Sequence, residues 1–350
     1  MKRVSLKDVA AQAGVSAATA SYALRGLARV PERTRLRVEA AADALGYERI
    51  PGVSAAMAYV RSGDDSPFRH VFAVIGPEPL RPEMRGSEGW LRDLYRGIER
   101  HAKQRHCGID YFPLGGKTAV PLSSLNRILQ ARGLRGVIIL PLPPPMGELP
   151  LRWEVLAPVA IGFSLLRPEL HRIASNTLPM INESVRLLRD AGARRIGLCL
   201  SREMNLKNYN ILEASFLLAQ DHWSKAERVP VHITGESEEG VVEWFRKRKP
   251  DALIGNHSAL TELQSINAVR ALNPERCVWL DLWPEQKDLT GFTADFDGLA
   301  RSAVETTLNL VEHGIYGLLD RAPITLVPPF FHIGLSQARV GALALARGVQ

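Results

Sequence analysis

Residues 4–26 read VSLKDVAAQAGVSAATASYALRG, and this stretch organises the rest of the chain. Ser5 is placed to cap a helix N-terminus, with Asp8 three residues on where its carboxylate can reach back to the cap's free N–H. Leu6, Val9, Ala10 and Ala13 then fall on one helical face, the spacing of a segment that buries a stripe. Gly14 supplies the backbone freedom that ends this helix. Ser16 caps a second helix, in which Thr19, Ala20, Ala23 and Leu24 face inward and Ala17, Ala18, Ser21 and Tyr22 face out. Two helices on so short a turn make a helix-turn-helix, an arrangement whose second helix can lie in a DNA major groove.

Residues 29–47, RVPERTRLRVEAAADALGY, predict a third helix from about Pro31 to Leu45. Val30, Thr34, Val38, Ala41, Ala42 and Leu45 can close a small core, and Gly46 can end the helix. Pro31 pre-sets φ at its start but offers no capping oxygen. The first 50 residues hold nine Lys and Arg against five Asp and Glu, a balance of +4 out of +7 for all 350 residues. A basic excess gathered at one end suits a segment that neutralises phosphates. Arg33 to Arg37 taken alone read equally as a solvated helical face.

Together these two stretches resemble, without a gap, the DNA-binding headpiece of the lactose-repressor (LacI/GalR) family. By that resemblance the expected base-facing positions are Ala17, Ala18 and Tyr22, with phosphate or flanking contacts from Ser5, Leu6, Ser16, Thr19, Ser21, Arg25, Arg29 and Thr34. The family commonly has arginine where Tyr22 stands, and arginine can grip guanine bidentately. Ala17 and Ala18 offer methyl groups suited to thymine. The expected operator therefore differs from the family's guanine-containing half-site.

The family also implies a linker whose paired helices wedge a leucine into the minor groove. Ala56 falls at the leucine position with Met57 beside it, so either Met57 is the wedge in a shifted helix or DNA kinking is weaker. The expected organisation is a headpiece at 1–48, a linker at 49–66, an effector-binding and dimerisation domain at 67–340 and a tail at 341–350.

Beyond His70 the pattern changes to short apolar runs separated by amphipathic stretches. Strands are expected at Val71–Ile75, Ile109–Phe112, Val137–Leu140, Val159–Gly162, Ile196–Leu200, Val229–Ile233, Ala252–Gly255 and Val278–Asp281. Helices are expected at Leu91–Gln104, Leu122–Ala131, Met180–Ala191, Tyr209–Gln220, Glu238–Lys247, Leu260–Leu272 and Leu299–His313. Apolar strands alternating with helices mean doubly wound parallel sheets. The family resemblance implies two of them, as in type I periplasmic binding proteins, with crossovers near 163, 289 and 326.

Ligands of open α/β sheets sit beyond the carboxyl ends of the strands. Asn256 and Asp281 stand there by resemblance, Asn176 comes after the Ile173-Ala174 strand, and Phe163, Trp283 and Phe296 can stack on a ring. Asn256 reads equally as a turn residue and Asp281 as a helix cap. The family's sugar-contacting arginine has no counterpart in Leu206–Glu213. Three readings stay open: Lys207 or Asn210 substitutes, the ligand is unusual, or the cleft responds to none.

Composition bounds the remaining classes. With 46% hydrophobic and 23% charged residues the chain is globular. Cys107, Cys199 and Cys277 lie far apart with no CxxC pair, so buried reduced thiols are expected. No run approaches the roughly 20 apolar residues of a membrane helix, and a cytoplasmic location is expected. Gly115-Gly-Lys-Thr118 echoes a P-loop but lacks its first glycine, Tyr111 standing there, and its helix. His101, His106 and Cys107 lack zinc-ligand spacing. Neither a metal nor a cofactor is expected. The chain reads as a non-enzymatic repressor that binds a pseudo-palindromic operator as a homodimer, or as a tetramer, under a small-molecule effector of the sugar or nucleoside class. The alternatives are a ligand-independent regulator and a sugar- or nucleoside-processing enzyme fused to a headpiece.

Overall fold

Alanine and valine at helical spacing fold the amino-terminal stretch into three helices, α1 (Leu6–Gln12), α2 (Ala17–Ala23) and α3 (Glu32–Leu45). The computed structural model describes residues 6–23, 30–45, 69–77, 80, 86–117, 119–142, 146–235, 239–265, 272, 276–283 and 285–334. Contacts divide the chain into two units, Met1–Asp65 and Ser66–Gln350. In the first, Val9, Ala10, Ala13, Ala20, Ala23, Val30, Val38, Ala41 and Ala42 form one buried cluster. Gly14 turns the chain between α1 and α2 at φ +63°, a left-handed conformation that side chains resist. Ser16 caps α2 by accepting from the Thr19 N–H at 3.0 Å. Pro31 holds the start of α3 through its carbonyl, which accepts from the N–H groups of Thr34 and Arg35.

The second unit contains two six-stranded sheets. The first orders β13 (Ile324–Val327), β7 (His171–Ser175), β5 (Ala157–Ile161), β3 (Gly136–Ile139), β1 (His70–Gly76) and β2 (Cys107–Pro113), all parallel. The second orders β14 (Phe330–His332), β12 (Gly291–Thr293), β11 (Cys277–Trp279), β10 (Ala252–Gly255), β8 (Ile196–Ser201) and β9 (His232–Thr234), antiparallel between β12 and β14 alone. A small parallel pair, β4 (Met146–Glu148) and β6 (Leu165–Arg167), lies apart. Helices α4 (Gly86–Gln104), α5 (Leu122–Ala131), α6 (Leu178–Asp190), α7 (Arg202–Lys207), α8 (Ile211–Asp221), α9 (Val241–Arg248), α10 (His257–Ser265) and α11 (Phe296–Glu312) complete it. Each sheet is buried on both faces, by α4 and α11 against α5 in the first, and by α6 and α8 against α9 and α10 in the second. Continuous apolar strands are what such burial requires.

Several expected boundaries move, each for a local reason. The first passage between sheets comes after Ser175 rather than near Phe163, because His171–Ser175 pairs with both β5 and β13. The chain returns after Thr293 and crosses again between Val327 and Phe330. The strand expected at Val229–Ile233 shrinks to His232–Thr234. Pro230 has no N–H for a ladder, and its carbonyl instead accepts the Trp244 indole N–H at 2.9 Å. The helix expected at Tyr209–Gln220 begins two residues later, as α8, because Tyr209 and Asn210 both take positive φ, and a separate short helix, α7, precedes them. Asp295 moves the start of α11 forward to Phe296 by capping it, its carboxylate accepting from the Gly298 N–H at 2.8 Å.

The three cysteines are free and buried. Burial pushes the Cys107 thiol up to about 11 and the Cys277 thiol up to about 12, so both are neutral at pH 8 and poor nucleophiles. Ellman's reagent at that pH is expected to titrate none of the three in the native protein and all three in denaturant. Rapid native reaction at one site would show that its burial is lost in solution. Among the described residues no helix is long and apolar enough to cross a membrane.

Candidate functional site

Two surfaces carry the residues singled out in the sequence. On the first, Ser16 and Thr19 are locked together, their hydroxyl oxygens 2.8 Å apart. Ala17 is exposed, while Tyr22 is half-buried against the alanine and valine cluster. Thr34 is half-buried on α3. Arg35 is held by acids of its own helix, with Glu32 at 2.9 Å and Glu39 at 3.7 Å, and Arg33 and Arg37 are exposed. Ser5, Arg25, Arg29, Ala56 and Met57 lie outside the described residues, as do the side chains of Leu6, Ala18 and Ser21 and the expected linker and tail.

The second surface is a cleft of about 620 Å³ between the two sheets. Its walls are the carboxyl ends of strands: Ile161 to Ser164 after β5, Ala174 and Ser175 on β7, Ser201 on β8, Asn256 after β10, and Leu280 and Asp281 after β11. The topology dictates this, since strand order reverses at β1 in one sheet and at β8 in the other, and crevices open at such switch points. Four expected residues besides Asn256 line the cleft: Phe163, Asp281, Trp283 and Phe296.

Two expected residues do not line it. Asn176 is spent at the start of α6, where its side-chain oxygen accepts from the Leu178 N–H at 3.3 Å and its own N–H donates to the Val327 carbonyl. Asn210 is exposed beside α8 in a left-handed conformation. Lys207 reaches the cleft instead, on α7, and is paired with Glu203 one turn earlier. No spacing rule places that short helix, since it depends on Ser201 capping it through the Met204 N–H at 3.2 Å.

Asn256 is 2% exposed and both ends of its amide are taken. Its oxygen accepts from the Ser201 N–H at 2.8 Å, and its nitrogen donates to the Ser201 and Ser258 hydroxyls at 3.1 and 2.7 Å. It therefore pins the end of β8 to the end of β10. Asp281 Oδ1 accepts from the His257 backbone N–H and faces His257 Nδ1, both at 2.9 Å. Gln286 Nε2 lies 2.6 Å from His257 Nε2 and must donate to it, which makes Nδ1 the donor to Asp281. Trp283 stacks on the His257 ring at 3.9 Å, and Trp279 lies 4.7 Å away on β11. His257 was missed in the sequence because it opens α10 three residues before the apolar periodicity starts.

The first-sheet wall is aromatic as well, with Trp90 stacked on Phe296 at 6.1 Å and 24°. Phe163 crosses to the second-sheet side and meets Tyr209 edge-on at 4.9 Å. The Arg172 guanidinium sits 5.8 Å over the Phe163 ring. Its N–H groups donate to the Gly162 and Leu165 carbonyls at 3.1 and 2.6 Å, and burial lowers its pKa.

Residues 5–49 match the family described as "Bacterial regulatory proteins, lacI family". A helix-turn-helix-type transcriptional regulator from the aml 5′ region of Streptomyces limosus is 30% identical over 207 residues, 56% of this chain and 52% of that protein. The match thus spans about half the length of that relative. Among solved structures, the lac repressor dimer bound to operator and the anti-inducer ONPF is 17% identical, with 95% of this chain and 98% of that chain covered at a TM-score of 0.52. A transcriptional regulator CelR–cellobiose complex is also 17% identical, covering 95% and 99% at 0.53. CcpA of Lactococcus lactis is 13% identical, covering 75% and 97% at 0.54. At these identities the likeness to solved structures establishes the fold: a helix-turn-helix unit and two parallel-dominant α/β sheets.

Proposed function

We propose that this chain is a bacterial transcriptional regulator of the LacI family, whose model its residues 5–49 match, that it binds a pseudo-palindromic operator as a homodimer, represses transcription there, and is tuned by a small molecule in its cleft. The observation that carries this reading is the Ser16-capped α2 on a tight Gly14 turn, inside the 45-residue family match, 5–49. A single small headpiece covers one half-site, and a two-fold dimer supplies the second in matching symmetry. The lac repressor relative is a dimer on its operator and CelR holds cellobiose, which supports both parts of the reading. A cleft ligand acts by binding one pose of the two sheets more tightly than another.

Genomic-fragment selection and subsequent titration test this. The selected duplex is expected to lose on the order of a thousandfold in affinity between about 50 and 200 mM salt, as released counterions require. A nearly flat salt profile, or no preference over random duplex, sinks the proposal. Within it, Tyr22 reads a base through its ring or hydroxyl. Tyr22→Ala is expected to relax discrimination at one operator position by about tenfold, of the order of a lost side-chain contact to a base. Unchanged ranking of operator variants in a randomised library would assign Tyr22 to headpiece packing alone.

A further inference from the structure

Several of the cleft's polar groups are already engaged within the protein. Asn256 has both amide ends engaged by Ser201 and Ser258. Lys207 and Glu203 hold each other. The Ser164 hydroxyl accepts from the Leu142 N–H at 2.7 Å, and the Asn208 amide nitrogen donates to the Met204 carbonyl at 2.8 Å. Arg172, the buried cation behind Phe163, is 3% exposed and turned to backbone carbonyls.

A sugar presents many hydroxyls, each both donor and acceptor, and needs planar amides, carboxylates or guanidinium groups free to pair with them. Breaking the bonds of Asn256, Ser164 or Arg172 to serve it would leave buried partners unsatisfied, at about 1–3 kcal/mol each. An anionic ligand meets no uncommitted cation among the described cleft residues. What the cleft does offer is aromatic surface on both sides: Trp90 and Phe296 on one wall, Trp283 backed by His257 on the other. Two residues before Trp283, Asp281 adds an open carboxylate oxygen to the cleft lining. Asp281 Oδ1 is taken twice by His257, while Oδ2 makes no hydrogen bond among the described residues.

We infer that the cleft takes an uncharged, flat aromatic ring compound with a phenolic O–H or ring N–H, stacked on Trp283 and donating to Asp281 Oδ2. This deepens the regulator reading and rests on it. The volume of about 620 Å³ accommodates one or two rings, within the usual range for small-molecule pockets. Ring faces meet the indoles at offset-stacking geometry, and the single donor fixes orientation.

The test uses the full chain with indole, 4-ethylphenol and adenine against glucose, cellobiose and glucose 6-phosphate, each at about 1 mM, the weak-binding range. At least one aromatic probe is expected to quench tryptophan fluorescence saturably and raise the melting midpoint, and the three sugars to do neither. Trp283→Ala is expected to weaken that probe about tenfold, the size of one aromatic contact. Trp283→Phe restores most of the affinity and serves where the alanine variant melts early. Asp281→Leu with the same probe removes the acceptor, and 4-ethylanisole, which lacks the donor, should bind the parent chain no better than 4-ethylphenol binds that variant. Saturable binding of a sugar without any aromatic probe overturns the inference, and so does silence from all six. Neither outcome touches the regulator reading, which is scored by duplex preference with no ligand present.

Discussion

Val38→Asp is expected to abolish operator preference while residues 66–334 keep their own cooperative unfolding. Val38 is 0% exposed at the centre of a cluster made of three valines and six alanines. Side chains that small bury little area, and a core of this size supplies no more than about 3–5 kcal/mol. An uncompensated carboxylate in such a core costs at least several kcal/mol unless it takes up a proton. The helix-turn-helix therefore unfolds, and affinity for the selected duplex falls to the non-specific level, a loss on the order of a thousandfold or more. Fluorescence anisotropy with that duplex measures the loss. Circular dichroism melting shows whether the second transition stays in place, as separate contact units imply. A variant that still discriminates duplexes would mean that the three-helix unit is not the reader.

Much of this architecture is written in local pattern. Ser16, Gly14 and the valine and alanine spacing announce the helix-turn-helix because caps, turns and stripes act over a few residues. The alternation of runs such as Val71–Ile75 and Ala252–Gly255 with amphipathic helices specifies parallel sheets for the same reason. The cleft is harder to read. Asp281 and Trp283 are found by their place after a strand, but their chemistry depends on His257, which arrives from another element, and on Gln286, which the same loop folds back onto it. Asn176 and Asn210 look equally polar and equally well placed in sequence. One is consumed by the start of α6 and the other is turned out by a left-handed residue pair. Whether an amide is open or spent is decided by its partners in space, and sequence spacing does not record them.

Asn256 puts that distinction to the test. Asn256→Leu nearly conserves volume and shape at a position 2% exposed, so little is expected from packing. It removes the acceptor for the Ser201 N–H and the donor to two hydroxyls. The serine hydroxyls can turn toward other partners, and Ser201 still serves the Met204 N–H. The Ser201 N–H cannot turn, and a buried unpaired amide costs about 1–3 kcal/mol. Adding the loosened junction between β8 and β10, the expected loss is about 2–4 kcal/mol, a fall of roughly 3–7 °C in the midpoint of a domain this large. Asn256→Asp keeps the acceptor and loses the donor, so it is expected to recover part of the loss as the pH is lowered and the carboxyl regains a proton. Differential scanning calorimetry of both variants at pH 5 and pH 8 measures this. Should Asn256→Leu melt with the parent chain and merely lose ligand, the amide is a ligand contact after all, and the cleft has more open polar groups than its internal hydrogen bonds suggest.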